Sequence, residues 1–530
     1  MTAGADYRIP LLIGVTGHRD LLAEDRDAIA ASVTTFFRML AERFPHTPLR
    51  VFCGLAAGAD QLVAEIALVF GAELVPVLAV PAAIFRTTLN TDPHARETYD
   101  RLLEGRPPIV LDPLATDPHD NTYALLADFL AVRCQILLGL WDGSERSAVG
   151  GTAFTIASKL NRRLASDAVL TDPIESGLVY HIPIRRRRAP HHRPENDEGF
   201  IALDAIGPYL ESLAEIDIFN ATPARGTTAG TALEQAFTHA DAFALHMQGR
   251  VRAARVGVFA SLTVLILSYA IYSEYNHPIV ALLVYFCALG TGAAIWVIGR
   301  RENFEQRHLD YRTLAEALRI QVMWMRSGLN WSVAEYYLRK HRNELRWIQF
   351  ALRAYTTDDA VMQTLERRRT ARTARHAAID EGAVRQWIVD QRDYFRRSAD
   401  KRERLLQLLN RLSGVAYALG LLAAFLEIAG HWIVNLQTYQ HELIMLMGVL
   451  PAFAGTIGAW IKQVAMSEEA ARLAGMDLLF TQALDAWDEP RNARARSLIA
   501  DDLGKEALHE SADWLALRRG RRIEVPLGSG

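Results

Sequence analysis

The sequence predicts a protein in two parts, an α/β domain built on a parallel sheet followed by an all-α domain with four transmembrane spans. Two observations carry this prediction. Residues 8–184 alternate short apolar runs with helical patterns, which is typical of a mostly parallel sheet covered on both faces. Further along the chain, four apolar runs approach the roughly 20 residues with which an α-helix crosses a bilayer's hydrocarbon core.

The strands and helices of the first part are bounded by glycine, proline and polar turn residues. Predicted strands are Ile9–Val15, Leu49–Cys53, Leu74–Val80, Ile109–Leu111, Gln135–Trp141 and Leu178–Ile184. Helical patterns lie between them, over about 24–43, after Gly54–Asp60 to about Phe70, within Pro81–Arg106, over Asn121–Arg133, and from Thr152 onward.

The four apolar runs form two pairs, each joined by a short polar segment: Ala253–Ser273 with Pro278–Ile298, and Leu412–Ile433 with Glu442–Ile461. Such a short link indicates a helical hairpin, because unpaired backbone groups are too costly in lipid for anything except helices and closed barrels. A large buried helical core is the alternative reading of the same four runs.

Positive charge lies on one side of these spans. The flanking cations are Arg250, Arg252, Arg255, Arg300, Arg301, Lys401, Arg402, Arg404, Arg411 and Lys462, whereas the links Glu274–His277 and Val434–His441 contain neither Lys nor Arg. The positive-inside rule therefore predicts a multi-pass protein of the cell membrane with both termini in the cytoplasm. The lipid bilayer, with its anionic headgroups, is the first expected partner.

Bulk composition narrows the functional classes. The 530 residues carry a formal net charge of −3 and are 50% hydrophobic, so neither a nucleic-acid partner nor a disordered chain is expected. The three cysteines, Cys53, Cys134 and Cys287, form no Cys-x-x-Cys pair, so we expect neither a metal site nor a disulfide framework.

Three glycine-bearing loops follow strands of the predicted sheet: Gly14–Arg19, Gly54–Asp60 and Asp142–Thr152. Ligands of parallel sheets bind beyond the carboxyl ends of the strands. Glycine lets backbone N–H groups approach an anion closely, and a helix N-terminus favours negative charge. The pattern predicts a site for a nucleotide or another phosphate compound; three purely structural turns are the alternative.

The motifs Gly14-Val-Thr-Gly-His-Arg19, Gly54-Leu-Ala-Ala-Gly-Ala-Asp60 and Gly150-Gly-Thr152 resemble the SLOG superfamily. This Rossmann-like group includes the DNA-processing protein A family and the lonely-guy phosphoribohydrolases. The resemblance implies a nucleotide-derived ligand, and no further cofactor. It implies ligand-binding roles for Gly14, Thr16, Gly17, His18, Arg19, Gly54, Gly58, Ala59, Asp60, Asp142, Gly143, Gly150, Gly151 and Thr152.

One departure from that family bears on catalysis. The phosphoribohydrolases carry Gly-Gly-x-Gly-Thr-x-x-Glu, whose glutamate helps to cleave the glycosidic bond, but Thr155 stands at the corresponding position here. Hydrolysis needs a carboxylate near the anomeric carbon. Asp60 and Glu65 are conceivable substitutes. We therefore favour ligand binding over cleavage and assign no catalytic residue.

The second part of the chain resembles the SLATT family. The segments that carry the resemblance are the helical pattern Thr231–Arg252 with Asp241, Tyr311–Arg319, and Trp387–Tyr394. The family's members are two-span membrane proteins that accompany SLOG domains and cyclic-nucleotide-producing enzymes in prokaryotic conflict systems. The resemblance implies an inner-membrane effector in antiviral defence, acting as a homo-oligomer.

These patterns divide the chain into six segments. They are a nucleotide-binding domain (1–190), a linker (191–230), a first hairpin with its approach helix (231–310), a cytoplasmic helical region (311–411), a second hairpin (412–463) and a cytoplasmic tail (464–530). Arg185–Arg188, which follow the last predicted strand at the end of the first segment, are expected to be solvated; a specific nucleic-acid patch is the less favoured alternative.

Two features lie inside the predicted spans. Gly455-Thr-Ile-Gly-Ala459 places small residues where helices can pack closely, and Pro451 is expected to kink the fourth span. Glu427 is a candidate pore-lining carboxylate, since an intramembrane acid is a functional candidate by default. The alternative is that Glu427 reaches the interface beside His431.

Three functional hypotheses follow. The first is a receptor-effector that binds a nucleotide-derived signal in the cytoplasm and permeabilises the membrane. The second is a membrane-tethered nucleotide N-glycosidase or phosphoribohydrolase. The third is a scaffold that holds the sensor at the membrane without forming a pore.

Overall fold

A computed structural model describes residues 7–115, 120–144, 148–161, 177–191, 197–223, 230–327, 329, 332–337, 345–356, 380–430, 432, 438–489 and 492–519. The chain divides into two compact units. The first, called the α/β unit here, comprises Met1–His239 and Asn330–Arg375, and the second, the helical unit, comprises Ala240–Leu329 and His376–Gly530.

The α/β unit contains a seven-stranded sheet with the order β4-β3-β2-β1-β5-β6-β7. The strands are β1 (Leu11–Gly17), β2 (Leu49–Cys53), β3 (Glu73–Leu78), β4 (Ile109–Val110), β5 (Ile136–Trp141), β6 (Leu178–Pro183) and β7 (Gly199–Ile201). All neighbouring strands are parallel except the β6–β7 pair. The predicted parallel α/β sheet is confirmed.

Helices cover both faces of this sheet. They are α1 (Arg26–Arg43), α2 (Ala59–Val69), α3 (Ala82–Thr87), α4 (Pro93–Leu103), α5 (Asp120–Arg133), α6 (Thr152–Asn161), α7 (Gly207–Ala221), α11 (Val333–Tyr336) and α12 (346–356). Gly17 abuts Ala59 of α2, whereas Gly14 abuts Cys134, which follows α5. Positions an odd number apart on a strand face opposite ways, so α2 and α5 cover opposite faces.

Three features of the α/β unit differ from expectation. Strand β1 runs through Gly17, because its pairing with β5 continues to Leu140, so Gly14 and Thr16 lie in the strand instead of a loop. The range expected to be a linker, 191–230, contains β7 and α7. Finally, α12 belongs to this unit, where the Phe350 carbonyl accepts a hydrogen bond from Gln135 Nε2 at 3.3 Å.

The helical unit is built from long helices. They are α8 (Ala232–Glu274, whose first eight residues belong to the α/β unit), α9 (Ile279–Arg301), α10 (Phe304–Arg326), α13 (Glu381–Gly430), α14 (Gln440–Gln463), α15 (Met466–Asp488) and α16 (Ala493–Arg519). Four of them, α8, α9, α13 and α14, are long and apolar enough to cross a membrane.

The apolar segments of these four helices are mostly uncovered by the rest of the protein. Only 6%, 6%, 17% and 11% of their most apolar windows are buried, in chain order. A buried helical core would cover such windows almost completely, so the alternative of a soluble core does not fit. Four helices of this length and hydropathy, with so little cover, are consistent with a membrane protein.

Glycines within these helices fall into two groups. A Cβ on Gly420 would lie 2.7 Å from Pro451 Cδ, so α13 and α14 approach closely at Pro451, which lies inside α14. By contrast, Gly455 and Gly458 face open space. The close packing expected at Gly455–Ala459 is therefore not made by these two glycines within the described chain. Glu427 is partly buried in α13, while His431 lies outside the described residues.

Candidate functional site

The order of the strands reverses between β1 and β5, and the region at the carboxyl ends of these two strands is called the crevice here. From β1 the chain adds β2, β3 and β4 on one side, and then returns to add β5, β6 and β7 on the other. At this reversal the segments leaving the two central strands diverge to opposite faces of the sheet, and ligands of open α/β sheets bind at such a point. His18 follows β1 and Asp142 follows β5.

A polar network joins the residues that follow β1, β5 and β6. His18 Nε2 lies 3.1 Å from Asp142 Oδ1, and Arg186 Nη1 lies 3.6 Å from Asp142 Oδ2. Arg186 Nε donates to Asp20 Oδ1 at 3.0 Å, and the Ser144 N–H donates to Asp142 at 3.1 Å. Three strand ends are thereby tied together at the crevice.

This network determines the protonation states of Asp142 and His18. Burial would raise the pKa of Asp142, but the Ser144 N–H, His18 and Arg186 hold that pKa below its ordinary value. Burial lowers the pKa of His18, with Arg186 acting in the same direction and Asp142 opposing. At neutral pH the site therefore holds a carboxylate beside a neutral imidazole. A carboxylate can only accept, so His18 Nε2 carries the proton and Nδ1 remains an acceptor.

Asp60 is a second acidic group at this edge of the sheet, on the first turn of α2. Its side chain is buried, and burial raises the pKa of Asp60 to about 7, although the Ala56 N–H and the charge of Arg19 act against the rise. Asp60 Oδ2 accepts the Ala56 N–H at 3.3 Å. At neutral pH a part of the molecules therefore carries this carboxyl in its protonated form, which is unusual for aspartic acid.

The second glycine loop packs directly against the first. Gly58 has a φ of +86°, and a Cβ there would lie 2.5 Å from the Arg19 carbonyl oxygen. The Ala59 N–H donates to the His18 carbonyl at 3.2 Å. This N–H at the start of α2, expected to be part of an anion cradle, is therefore occupied by the protein's own backbone.

The third loop meets the first through Tyr123 of α5. Gly150 has a φ of +77°, and a Cβ there would lie 2.4 Å from Tyr123 Cβ. The hydroxyl of Tyr123 accepts from Arg19 Nη2 at 3.3 Å, and the Arg19 guanidinium lies 5.7 Å from the centre of the Tyr123 ring. Tyr123 thus holds an exposed arginine beside the loop that opens α6.

Most of the predicted ligand-binding residues converge on this region. Those at or next to the crevice are Gly17, His18, Arg19, Gly58, Ala59, Asp60, Asp142, Gly143, Gly150, Gly151 and Thr152. The other three have different surroundings. Gly14 and Thr16 lie within β1. Gly54 directly follows β2 and packs against Asp60, since a Cβ on Gly54 would lie 3.2 Å from Asp60 Oδ2.

Three residues of the site escaped the sequence analysis: Asp20, Tyr123 and Arg186. The expectation that Arg185–Arg188 is a solvated linker was wrong for its first two members, because Arg185 pairs with Asp25 and Arg186 enters the crevice network. A usable signal was present, since these arginines directly follow β6, whose carboxyl end lies at the same edge of the sheet.

The two acids considered as substitutes for the missing glutamate have different surroundings. Glu65 lies further along α2 and forms an ion pair with Arg101 of α4. Asp60 lies at the strand ends, whereas Thr155, at the position of the family's glutamate, donates its hydroxyl to the Gly151 carbonyl at 3.0 Å. Within the described ranges, no group of three or more His, Cys, Asp or Glu side chains is arranged to hold a metal ion.

Comparison with known proteins yields no relative: no family model, curated protein or solved structure matches the chain. The resemblance to the SLOG and SLATT families therefore stays a prediction from sequence motifs.

Proposed function

We propose that this chain is a membrane receptor-effector, in which the α/β unit binds a nucleotide-derived signal and the four apolar helices permeabilise the membrane in response. The observation that carries the proposal is the pairing of two features in one chain: a polar crevice at the β1/β5 reversal and four apolar helices with little cover. On the SLOG and SLATT resemblance, the setting is antiviral defence at the inner membrane of a prokaryotic cell.

The chemistry of the crevice suits a phosphorylated ligand with hydroxyl groups. Arg19 is exposed and already oriented by Tyr123, and arginine binds phosphate through parallel N–H bonds. The N-terminus of α6 at Thr152 adds a favourable dipole for an anion. Asp142 and His18 Nδ1 are acceptors for ribose hydroxyls. No metal or further cofactor is part of the proposal.

The proposed topology places both termini in the cytoplasm and makes all four apolar helices spans. Supporting this, Arg252 and Arg301 are exposed at the cytoplasmic ends assigned to α8 and α9, where anionic headgroups attract positive charge. A homo-oligomer is proposed because Gly455 and Gly458 leave a small-residue surface open on α14.

Helix α8 is the proposed coupling element. It runs without interruption from Ala232 to Glu274 and so includes both residues 232–239 of the α/β unit and the first apolar span. A ligand can shift the membrane part only if it binds one state of the protein more tightly than another. Because α8 is continuous, a change that ligand binding causes in the α/β unit can pass along this helix to the first apolar span.

Dye-loaded liposomes test the proposal. Purified full-length protein is reconstituted, candidate nucleotides are added, and release is followed, with Arg19→Ala as the test variant. Arg38→Ala, an exposed arginine of α1, is the matched control. We expect ligand-dependent release that Arg19→Ala abolishes and Arg38→Ala retains. Release that ignores every ligand overturns the proposal, and ligand binding without release favours the scaffold.

A membrane-tethered nucleotide N-glycosidase or phosphoribohydrolase is the second candidate, and one observation favours it. Asp60, with a pKa of about 7 at the strand ends, has the protonation behaviour of a general acid or base at neutral pH. Incubation with nucleoside monophosphates, followed by chromatography for free base, decides this. Release of base by the wild type and not by Asp60→Asn replaces the receptor proposal with an enzyme.

A further inference from the structure

Backbone contacts at the crevice hold Asp60 and Arg19 in a fixed relation. Gly58, which precedes Asp60 in the chain, packs on the backbone of Arg19, since a Cβ there would lie 2.5 Å from the Arg19 carbonyl oxygen and 3.0 Å from its Cα. The Ala59 N–H also donates to the His18 carbonyl at 3.2 Å. The first turn of α2, which bears Asp60, is therefore tied to the segment after β1, which bears Arg19.

The side chains of these two residues have opposite surroundings. Asp60 is only 7% exposed, and its Oδ2 lies against Gly54 and accepts the Ala56 N–H at 3.3 Å. Arg19 is exposed, and its Nη2 donates to the hydroxyl of Tyr123 at 3.3 Å. The carboxyl is thus largely removed from water, whereas the guanidinium is accessible to a ligand.

The charge of Arg19 influences whether Asp60 is ionised. Burial raises the pKa of Asp60 to about 7, and the Ala56 N–H and the charge of Arg19 prevent a larger rise. A buried carboxylate loses stabilisation when a cation near it is neutralised. An anion bound to Arg19 should therefore raise the pKa of Asp60 further, and the carboxyl should bind a proton.

The other titratable groups near Asp60 do not offset this effect. Burial, together with the charge of Asp60, raises the pKa of Cys53 well above its ordinary value, so Cys53 is a neutral thiol, and it donates to the Asp60 carbonyl at 3.3 Å. Glu65, further along α2, is paired with Arg101 of α4. From α5, the apolar side chain of Leu126 reaches the loop before α2.

We propose that Asp60 takes up a proton when an oxyanion binds to Arg19, so that binding at the crevice is coupled to pH. This inference rests on the proposed function, because it takes the crevice to be the site of a phosphate group. Before the anion binds, Arg19 partly balances the charge of an ionised Asp60. The bound anion cancels that balance and favours the neutral acid, so binding should weaken as the pH rises through neutrality.

Isothermal titration calorimetry of the full-length protein in detergent measures the proton, because the binding enthalpy then depends on the ionisation enthalpy of the buffer. The probes are sulfate and cyclic AMP, whose charges do not change between pH 6 and pH 9. At pH 8 the wild type should take up a fraction of a proton per bound anion, and its affinity should fall by at most about tenfold per pH unit. Asp60→Asn should bind without proton uptake. Asp27→Asn, at an exposed position of α1, is the matched control and should behave as the wild type.

A second measurement needs no ligand. Arg19→Gln removes the positive charge, as a bound anion would, and so should raise the pKa of Asp60. Asp60→Asn should then shift the urea midpoint of unfolding upward at pH 8 more in the Arg19→Gln background than in the wild type, and have little effect in either at pH 4. Pulse proteolysis at low salt measures the midpoints, and Arg38→Gln, at an exposed position of α1, is the control background.

The outcomes separate this inference from the proposed function. Anion binding without proton uptake, or with uptake that persists in Asp60→Asn, overturns the coupling and leaves the phosphate site in place. Equal midpoint shifts of Asp60→Asn in the Arg19→Gln and Arg38→Gln backgrounds also overturn the coupling. If neither anion binds, Arg19 is not an oxyanion site, and both the coupling and the phosphate ligand of the proposed function are overturned.

Discussion

The two units of this protein treat apolar and charged side chains in opposite ways. In the α/β unit, Leu12, Phe36 and Leu138 are completely buried in a core between sheet and helices. In the helical unit, Ile279 and Phe425 are 70% and 66% exposed. Charged side chains such as Arg312 and Glu316 meanwhile line a cavity between α8, α10, α13, α15 and α16. The α/β unit buries its apolar side chains, as proteins in water do, whereas the apolar helices expose theirs, as helices that face a hydrocarbon solvent do.

This contrast assigns different physical roles to similar residues. Burial of a large side chain stabilises the α/β unit by removing apolar surface from water. The same driving force is absent between helices in lipid, where close packing and polar contacts decide association. Truncation of a large apolar side chain should therefore lower the free energy of unfolding more in the α/β unit than in the apolar helices.

The largest difference is expected for phenylalanine truncation. Phe36→Ala should destabilise the α/β unit by about 3–5 kcal/mol, because it removes a fully buried ring of α1 and leaves a cavity. Phe425→Ala should have little effect on the same unit. Pulse proteolysis of the full-length protein in detergent, at increasing urea, measures both. Equal effects of the two substitutions would contradict the contrast between the units.

Asp60→Asn should stabilise the α/β unit at alkaline pH. The folded-state pKa of about 7 lies above the ordinary value of 3.8, so wild-type stability falls as pH rises between these values. At pH 8 the substitution should raise the free energy of unfolding by on the order of 1–4 kcal/mol, and at pH 4 by almost nothing. Denaturant unfolding at the two pH values measures this change. An increase in the free energy of unfolding that is independent of pH would contradict a raised pKa of Asp60 in the folded state.

Gly17→Ala should destabilise the α/β unit by about 1–3 kcal/mol through overpacking. The new Cβ would lie 2.3 Å from Ala59 Cβ, so β1 and α2 would have to separate. Gly207→Ala is the control, since no atom lies within 4 Å of its would-be Cβ. Thermal unfolding compares the two, and a neutral Gly17→Ala would show that the contact between β1 and α2 is looser than described.

The smallest effect concerns His18. Its folded-state pKa is below 6.5, so the neutral form stabilises the fold, and this contribution is lost as pH falls from 6.5 toward the folded-state pKa. His18→Gln should remove that loss, which amounts to at most about 1.4 kcal/mol per pH unit. Unfolding titrations from pH 7.5 to 5 test the sign. A wild type that gains stability over this range relative to His18→Gln would contradict it.

The sequence predicted most strands and all four apolar helices because each is a local pattern. Strand β2 and its neighbours are apolar runs bounded by turn residues, and the spans are continuous apolar stretches. Residues that act at a distance were harder to find. Arg186 and Tyr123 reach the crevice only through the strand order β2-β1-β5-β6, which no local pattern specifies.

The cavity of the helical unit shows the same limit. Arg312, Trp387 and Trp514 are separated by long stretches of chain, and each is unremarkable on its own helix. Even the glycine loops were only partly anticipated, because Gly14 and Gly54 serve packing against Cys134 and Asp60. Glycine in a sequence signals a close approach without identifying the group that approaches.

Labelling of the native cysteines tests most directly whether lipid surrounds the apolar helices. Cys53 and Cys134 are buried in the α/β unit, and Cys287 is exposed on α9. In membrane vesicles a charged maleimide should leave Cys287 unmodified, while Val69→Cys, at a position 85% exposed on the α/β unit, reacts rapidly in vesicles opened to both sides. Rapid modification of Cys287, at the rate of Val69→Cys, would show that water covers these helices and would contradict the account.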